Sequence, residues 1–191
     1  MTQATNATAR LRKRGLRARR LLDDQTRIHA SQVIAERIVH SHEFMACNTI
    51  ACYLSSYDEV DTSFIIERAW RANKRIFAPV VADKHGMFFR QLLPETLLEK
   101  SRFDLWEPVG SPRIDAGQID VVVTPVVAFD DDCHRIGMGG GYFDRCFSFL
   151  KHRRQWLRPK LMGVAFDCQK IEKIEPNPWD IRLYSVTTDS Q

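Results

Sequence analysis

The run Ile119-Asp-Val-Val-Val-Thr124 decides the fold, because it is β-branched and apolar at almost every position. Such a run is typical of a strand buried on both faces of a parallel sheet. Working outward, residues 49–54 and 75–81 are further short apolar runs, and a helical segment separates them. This strand–helix–strand order predicts an α/β chain, a single-domain three-layer sandwich with helices on both faces of the sheet.

The rest of the pattern fits this architecture. Asp23-Asp24 is predicted to end one helix and to cap a second within residues 9–45. The other predicted elements are strands at 86–93, 126–129, 160–166 and 184–187, a helix at 142–151 and a loop at 103–118. The small polar residues 1–9 predict a flexible N-terminal tail, which leaves residues 10–191 as the domain.

The composition bounds the class of protein. With 191 residues, of which 44% are hydrophobic and 27% charged, the chain can bury one substantial core. No run approaches the roughly 18 apolar residues that cross a bilayer, and residues 1–9 lack the apolar centre of a signal peptide. The five cysteines form no CxxC pair, which argues against a disulfide framework or a tetrahedral zinc site. We expect a cytoplasmic protein with reduced thiols and no membrane partner.

The net charge of +4 is unevenly distributed. Residues 10–20 hold seven basic side chains and no acidic one, whereas the remainder is close to neutral. On a helix, Leu11, Gly15, Ala18 and Leu22 share one face and leave basic residues on the other. One short basic helix without interleaved aromatic residues predicts a local anionic ligand, and nucleic acid is not expected as a partner.

Glycines occupy four of the five positions 137–141, between a predicted strand and a predicted helix. Glycine lets an anion approach the backbone N–H groups closely, so the segment predicts a phosphate site, with a plain tight turn as the alternative. It is not a P-loop, because no Gly-Lys-Ser/Thr follows. It is not a dinucleotide fingerprint either, because Tyr142 stands three positions after Gly139.

Charged side chains flank these glycines. Asp144 would repel a polyphosphate unless a divalent cation lay between them, and Mg²⁺ prefers one or two carboxylates together with phosphate oxygens. The alternative is that Asp144 only complements the helix dipole. Arg135 and Arg145 can reach phosphate oxygens with a planar fork, or they form ordinary surface ion pairs.

These segments resemble a known family. The stretch Asp120-Val-Val-Val-Thr-Pro-Val-Val-Ala-Phe-Asp130, followed by Arg135-Ile-Gly-Met-Gly-Gly-Gly-Tyr-Phe-Asp-Arg145, is similar to the signature of the 5-formyltetrahydrofolate cyclo-ligases. Further blocks resemble the family in the same order: Lys13-Arg-Gly-Leu-Arg17, Tyr53-Leu-Ser-Ser-Tyr-Asp-Glu-Val-Asp-Thr62, Gly163-Val-Ala-Phe-Asp-Cys-Gln169 and Trp179-Asp180. Together they run over almost the whole chain.

The resemblance implies a Rossmann-like, mostly parallel sheet and a ligase that converts 5-formyltetrahydrofolate and ATP to 5,10-methenyltetrahydrofolate, ADP and phosphate. It implies ATP contacts at Lys13, Arg14, Gly15, Leu16, Arg17, Arg135, Ile136, Gly137, Met138, Gly139, Gly140, Gly141, Tyr142 and Phe143, to which we add Arg145. It implies folate contacts at Leu54, Glu59, Met138, Gly139, Gly140, Gly141 and Tyr142, and a Mg²⁺ held by Asp144 and Asp180. Lys13, Arg135 and Tyr142 are the predicted catalytic residues.

Several side chains suit a folate ring system. Glu59 can accept hydrogen bonds from the donor edge of the pterin, and its alternative role is a carboxylate at the start of the helix near Thr62. Tyr142 and Phe103 can stack on the pterin or the aminobenzoyl ring, and core packing is the alternative for Phe103. The small-molecule partners are therefore a reduced folate and ATP, and we predict a monomer.

The chain departs from the family pattern at two positions. Gly140 stands where some relatives carry lysine, and Trp179 stands where many carry histidine or asparagine. These departures keep open a folate- or nucleotide-binding protein without turnover. An RNA-associated protein that uses residues 10–20 is a second alternative.

Overall fold

The computed structural model describes residues 2–82, 86–153 and 158–190, with side chains from residue 7 onward. Met1 and Gln191, the outer ends of the predicted tail and domain, lie outside these ranges. The strands are β1 (Thr49–Cys52), β2 (Arg75–Val81), β3 (Met87–Gln91), β4 (Leu98–Lys100), β5 (Trp106–Pro108), β6 (Arg113–Ile114), β7 (Val121–Pro125), β8 (Ala128–Phe129), β9 (Arg135–Ile136), β10 (Lys160–Val164) and β11 (Ser185–Thr187).

Within the described ranges, a seven-stranded sheet of order β11-β10-β7-β1-β2-β3-β6 forms the centre of the molecule. The five strands from β11 to β2 pair in parallel, whereas β3 and β6 are added antiparallel at one edge. The strand predicted first, β7, lies between β10 and β1. Its central place explains why its sequence is apolar without alternation.

Helices cover this sheet. They are α1 (Thr2–Arg20), α2 (Asp24–Val39), α3 (His42–Ala46), α4 (Ser63–Arg71) and α5 (Tyr142–Cys146), with 3₁₀ segments at Ala116–Gln118, Ser148–His152 and Asp167–Gln169. The cap predicted between the first two helices is confirmed, because the Asp23 side chain accepts a hydrogen bond from the Thr26 N–H at 2.9 Å.

The side chains of β7 alternate between two cores. Val121 and Val123 pack with Ile34 of α2 and Ile65 of α4 on one face. Val122 points to the other face, into a cluster that includes Phe147. Because both faces of the sheet are buried under helical segments, the predicted three-layer α/β sandwich with a mostly parallel sheet is confirmed.

Three local predictions need correction. Helix α1 begins at Thr2, so the helix start predicted near residue 9 is wrong, and most of the expected tail continues the same helix. The helix predicted at 142–151 ends at Cys146, because Phe147 leaves helical geometry and is buried among aromatic rings. The loop predicted at 103–118 contains β5, β6 and a 3₁₀ turn, since Gly110 and Pro112 lie between short strands and Pro108 ends β5.

Helix α1 packs beside the sheet rather than on its main faces. Leu11 contacts a small cluster that includes Ala128, Ile136 and Ile171. Gly15 is buried, and a Cβ at that position would collide with the Val127 carbonyl oxygen. The predicted apolar stripe therefore faces the protein, and glycine is required for the close approach. In the described part of the chain, no helix has the length and apolar character needed to cross a membrane.

Candidate active site

The predicted site segments follow two neighbouring strands. Strand β1 pairs in parallel with β7, so their carboxyl ends lie at the same edge of the sheet. Residues 53–62 follow β1, and the hairpin of β8 and β9 leads from β7 into the glycine segment, residues 137–141. The predicted folate and phosphate segments therefore lie side by side. Ligands of open α/β sheets bind at this edge of the sheet.

The glycine segment has the backbone geometry that its composition indicates. Gly139 has φ 102° and Gly141 has φ 65°, which are left-handed conformations that side chains rarely adopt. Gly141 is also the residue before α5, and α5 is only five residues long. A short helix has a weak dipole, so any anion here must be held mainly by backbone N–H groups and by cations.

One such cation comes from α1 and was not singled out from the sequence. Arg12 Nε donates a hydrogen bond to the Gly137 carbonyl oxygen at 2.8 Å. Its guanidinium group also lies beside Gly139, where a Cβ would be 3.4 Å from Arg12 Cζ. The basic helix and the glycine segment, which are far apart in sequence, are therefore joined at one point.

Two charged residues predicted to bind nucleotide and metal form an ion pair. Arg135 Nη2 donates to Asp144 Oδ1 at 2.8 Å, and the Arg135 side chain is only 6% exposed. The Ile181 N–H donates to the same Asp144 oxygen at 3.0 Å, and Arg135 Nη1 donates to the Ile181 carbonyl oxygen at 2.6 Å. The surface ion pair predicted as the alternative for Arg135 is wrong, because this side chain is buried and connects the glycine segment to the C-terminal region. Asp144 lies in the first turn of α5, as its helix-dipole alternative requires.

The same contacts bring Asp180 close to Asp144, since Asp180 directly precedes Ile181 in the chain. Asp180 Oδ2 accepts hydrogen bonds from the Asn177 N–H at 2.8 Å and from Asn177 Nδ2 at 3.1 Å. Trp179, one of the departures from the family pattern, is 63% exposed beside it. Asp180 is thus held by a local turn, and its role as a metal ligand stays a prediction.

Among the described residues, one group of three possible metal ligands meets at a single point, and it is not the predicted pair. Atoms of Asp130, Asp132 and His134 lie within 4.8 Å of one another. However, the buried Asp130 carboxylate already accepts hydrogen bonds from the Ile174 N–H at 2.9 Å and from the His134 N–H at 2.9 Å. Burial raises the pKa of Asp130, but these hydrogen bonds lower it overall, so the carboxylate works as a structural anchor of the turn.

The two aromatic residues predicted to bind the folate contact each other. The rings of Phe103 and Tyr142 meet edge to face with centroids 5.9 Å apart. Phe103 is 47% exposed, so the core-packing alternative is wrong for this residue. The pair joins the loop between β4 and β5 to the end of the glycine segment, and it presents apolar ring surface beside the phosphate candidates.

Gly140 and Arg145 explain how the glycine segment accommodates Tyr142. A Cβ at Gly140 would lie 2.7 Å from Tyr142 Cε2, so the ring covers this glycine. Arg145 Nη2 donates to the Gly140 carbonyl oxygen at 2.6 Å, and Arg145 Cζ lies 5.2 Å from the Tyr142 ring centre. The Tyr142 ring therefore occupies the space next to Gly140, and Arg145 supplies positive charge beside it.

The carboxylate predicted to bind the pterin lies in the loop after β1. Glu59 Oε2 accepts a hydrogen bond from the Ser56 N–H at 3.0 Å, and Glu59 Oε1 lies 3.6 Å from Arg19 Nη1. At the start of α4 it is the Asp61 side chain that accepts from the Ser63 N–H, at 2.9 Å. The alternative role predicted for Glu59, a carboxylate at the start of the helix, is therefore filled by Asp61 instead. Leu54 packs against the core at the base of this loop.

The other predicted nucleotide contacts fall into two groups. Ile136 and Gly15 are buried and Phe143 packs against the core, so their observed roles are structural, and contact with a nucleotide stays a prediction. The remaining members are at least partly exposed: Lys13, Arg14, Leu16 and Arg17 lie on α1, and Met138 lies in the glycine segment. Their contact with a nucleotide also stays a prediction.

The chain resembles known proteins over nearly its full length. It is 34% identical to the 5-formyltetrahydrofolate cyclo-ligase of Escherichia coli strain K12 over 177 residues, which cover 91% of this chain and 95% of that protein. The NMR structure of Aquifex aeolicus 5,10-methenyltetrahydrofolate synthetase matches with a TM-score of 0.82 and 26% identity over 96% of this chain and 90% of that one. The synthetase from Mycoplasma pneumoniae matches with a TM-score of 0.75 and 26% identity, over 95% and 98% of the two chains.

Fold and site together define an α/β sandwich in which a glycine segment, flanking arginines and an aromatic pair meet at the carboxyl edge of the sheet. The model of the 5-formyltetrahydrofolate cyclo-ligase family matches residues 4–189. This chain belongs to the 5-formyltetrahydrofolate cyclo-ligase family.

Proposed function

We propose that this protein is an enzyme that converts 5-formyltetrahydrofolate and ATP to 5,10-methenyltetrahydrofolate, ADP and phosphate. The observation that carries the proposal is the Phe103–Tyr142 ring pair, because Tyr142 directly follows the glycine segment and its ring packs against Gly140. An aromatic surface for a planar ring and a loop of backbone donors for phosphates are the two features that this reaction has to combine.

The nucleotide occupies the surface between α1 and the glycine segment. Lys13, Arg14 and Arg17 project from the exposed side of α1, and Arg12 ties that helix to the loop. A triphosphate placed there meets several cations and the N–H groups of residues 139–141. Such an arrangement neutralises the charge that spreads over the phosphate oxygens during transfer.

The chemistry asks the protein to position two substrates rather than to attack either one. A formamide carbon is a poor electrophile, so the γ-phosphoryl group moves to the formyl oxygen and makes that oxygen a good leaving group. The N-10 nitrogen of the folate then attacks the formyl carbon, phosphate leaves with the formyl oxygen, and the N-10 proton ends on the phosphate. No protein nucleophile is consumed, which agrees with a site built from cations, backbone donors and aromatic rings.

The residues present also suit a magnesium ion. Asp144 and Asp180 are the side chains proposed to hold it, and one or two carboxylates with phosphate oxygens are the ligand set that Mg²⁺ prefers. A bound Mg²⁺ would supply charge neutralisation between the nucleotide phosphates and Asp144. Arg135 orients the Asp144 carboxylate, since the two side chains are 2.8 Å apart.

The folate lies across the aromatic pair with its pterin near the loop after β1. Glu59 accepts hydrogen bonds from the pterin, Leu54 gives an apolar contact, and Tyr142 stacks on a ring. We further propose that the protein is a cytoplasmic monomer, and that residues 10–191 form one cyclo-ligase domain. The helical N-terminal residues before that domain belong to α1.

Release of ADP in the presence and absence of 5-formyltetrahydrofolate tests the proposal. With ATP and Mg²⁺, ADP should appear only when the folate is added, together with an equal amount of methenyl product. Folate binding without ADP release would instead support the alternative of a non-catalytic folate- or nucleotide-binding protein with the same fold.

A further inference from the structure

A buried arginine of α1 holds the loop that follows β1. Arg19 is 4% exposed and donates two hydrogen bonds to Asp58, from Nε to Oδ2 at 3.1 Å and from Nη2 to Oδ1 at 3.0 Å. Its third nitrogen, Nη1, lies 3.6 Å from Glu59 Oε1. One planar guanidinium group therefore faces two consecutive carboxylates, a geometry that lysine cannot reproduce.

The Glu59 carboxylate is restrained at both of its oxygens. Oε1 faces Arg19, whereas Oε2 accepts the Ser56 N–H at 3.0 Å, and the Glu59 N–H donates back to the Ser56 carbonyl oxygen at 3.1 Å. Each carboxylate oxygen can accept two hydrogen bonds. Both oxygens of Glu59 therefore keep accepting capacity for a substrate, while the plane of the carboxylate is fixed.

The Arg19–Asp58 pair is built to persist at neutral pH. Burial raises the pKa of Asp58, but hydrogen bonds and charge interactions with Arg19 and Arg20 lower it overall. A buried guanidinium group without an anionic partner would be costly, so the bidentate contact with Asp58 keeps Arg19 in place. Asp58 thus anchors the arginine, and the arginine in turn restrains the next residue, Glu59.

We infer that Arg19 is a positioning residue for the folate, because it fixes the Glu59 carboxylate in the plane that a bidentate contact with the pterin requires. The inference rests on the proposed function, in which Glu59 binds the substrate. It assigns to α1 two tasks on different sides of the helix: the exposed Lys13 and Arg17 face the nucleotide, and the buried Arg19 organises the folate loop.

Arg19→Gln removes the cation and the fork. It should weaken binding of 5-formyltetrahydrofolate, measured by calorimetry without ATP, about tenfold, because the Glu59 carboxylate loses the cation 3.6 Å away that restrains it. The kcat at saturating folate and the Kd for ATP should each change by less than about threefold, because Arg19 acts on folate placement. The matched control is Arg20→Gln, since Arg20 also pairs with Asp58 but its side chain is 67% exposed. It should leave folate affinity within about twofold.

Arg19→Lys keeps the charge and carries the test if Arg19→Gln does not fold, as circular dichroism will show. It should also bind the folate more weakly than the native protein, because an ammonium group lacks the planar fork that pairs with Asp58 through two nitrogens and leaves a third facing Glu59. Native folate affinity in Arg19→Lys, or a change that falls on the Kd for ATP instead, would overturn the inference.

A double-mutant cycle separates positioning through Glu59 from a general structural role. If Arg19 acts through Glu59, the double variant Arg19→Gln/Glu59→Gln should bind the folate about as weakly as the weaker single variant. With Arg19→Lys in its place, the same result is expected. Additive losses would show that Arg19 does not work through Glu59. This failure is distinct from failure of the proposed function, in which the native protein itself releases no folate-dependent ADP.

Discussion

Arg135 and Asp144 hold each other across the end of the glycine segment, with Nη2 and Oδ1 2.8 Å apart. Both side chains were assigned to ligands from the sequence, the arginine to phosphate and the carboxylate to metal. Their contact shows that the carboxylate is already oriented by two donors, Arg135 and the Ile181 N–H. In the proposed complex Asp144 is shared between Arg135 and Mg²⁺, so we expect substitution of Asp144 to lower turnover strongly.

Asp144→Asn should lower turnover by at least about 100-fold, because the proposed Mg²⁺ loses its charged ligand while phosphate charge still has to be neutralised. The variant should also melt at a lower temperature than the native protein, since the buried Arg135 loses its anionic partner. Steady-state ADP release at several Mg²⁺ concentrations and a thermal melt measure the two effects.

Asp132→Asn is the matched control, because it removes a carboxylate from the other group of possible metal ligands. It should keep native turnover and native Mg²⁺ dependence. If Asp132→Asn changes the Mg²⁺ dependence of turnover and Asp144→Asn does not, the metal is held by the group of Asp130, Asp132 and His134, and the assignment to Asp144 is wrong.

Lys13→Ala should raise the KM for ATP about tenfold and change the KM for folate much less. Lys13 is exposed on α1, its neighbour Arg12 contacts the glycine segment, and in the proposed complex the Lys13 ammonium group contacts a phosphate. Lys173→Ala, which removes a lysine whose side chain is 69% exposed and pairs with Glu175, should change neither constant. If the KM for folate rises more than the KM for ATP, the assignment of α1 to the nucleotide is refuted.

Gly15→Ala should lower the free energy of unfolding by about 1–3 kcal/mol, because the added methyl group collides with the Val127 carbonyl oxygen and pushes α1 outward. ATP affinity should fall as well, since α1 and the glycine segment then separate. Urea unfolding and nucleotide titration measure both. Gly137→Ala is the steric control for the unfolding measurement alone, because a Cβ there meets no described atom within 4 Å but the residue belongs to the proposed nucleotide site. Equal stability of the two variants would show that α1 does not pack as observed.

Glu43 should make stability depend on acid pH. The hydrogen bond from Lys160, at 3.0 Å, is the main reason why the pKa of Glu43 falls from 4.5 to about 2 in the folded protein. The unfolded chain binds this proton more readily, so the stabilisation is complete above pH 4.5 and is lost as the pH falls towards 2.

Glu43→Gln should therefore reduce stability at neutral pH and flatten its decline between pH 4.5 and 2, as measured by urea unfolding across that range. Glu175→Gln removes the same charge from a side chain that is 83% exposed, and serves as the control. A native-like pH profile in Glu43→Gln would contradict the role of the Lys160 contact.

The sequence predicted the architecture because its signals are local. The apolar run in β7 and the cap at Asp23 each depend on neighbouring residues, and both are confirmed. The hairpin of β4 and β5 was missed although it is local, because its strands are only three residues long and are too short to show an alternation of apolar and polar residues.

The site was predictable in its segments but not in its pairings. Residues 10–20 are basic at most positions, so helical periodicity does not reveal that Arg12 reaches Gly137 or that Arg19 turns inward to Asp58. These contacts join residues far apart in the chain, and only the packing of α1 decides them. Likewise, the sequence identified Phe103 and Tyr142 as two separate aromatic candidates, but it did not predict that their rings contact each other.

The fate of the formyl oxygen tests the proposed reaction most directly. 5-Formyltetrahydrofolate carrying ¹⁸O in its formyl group is incubated with the protein, ATP and Mg²⁺, and the released phosphate is analysed by mass spectrometry. If the γ-phosphoryl group is transferred to the formyl oxygen, each phosphate released with the methenyl product carries one ¹⁸O atom. Phosphate without the label, or ADP release that does not depend on the folate, would contradict the proposed ring closure.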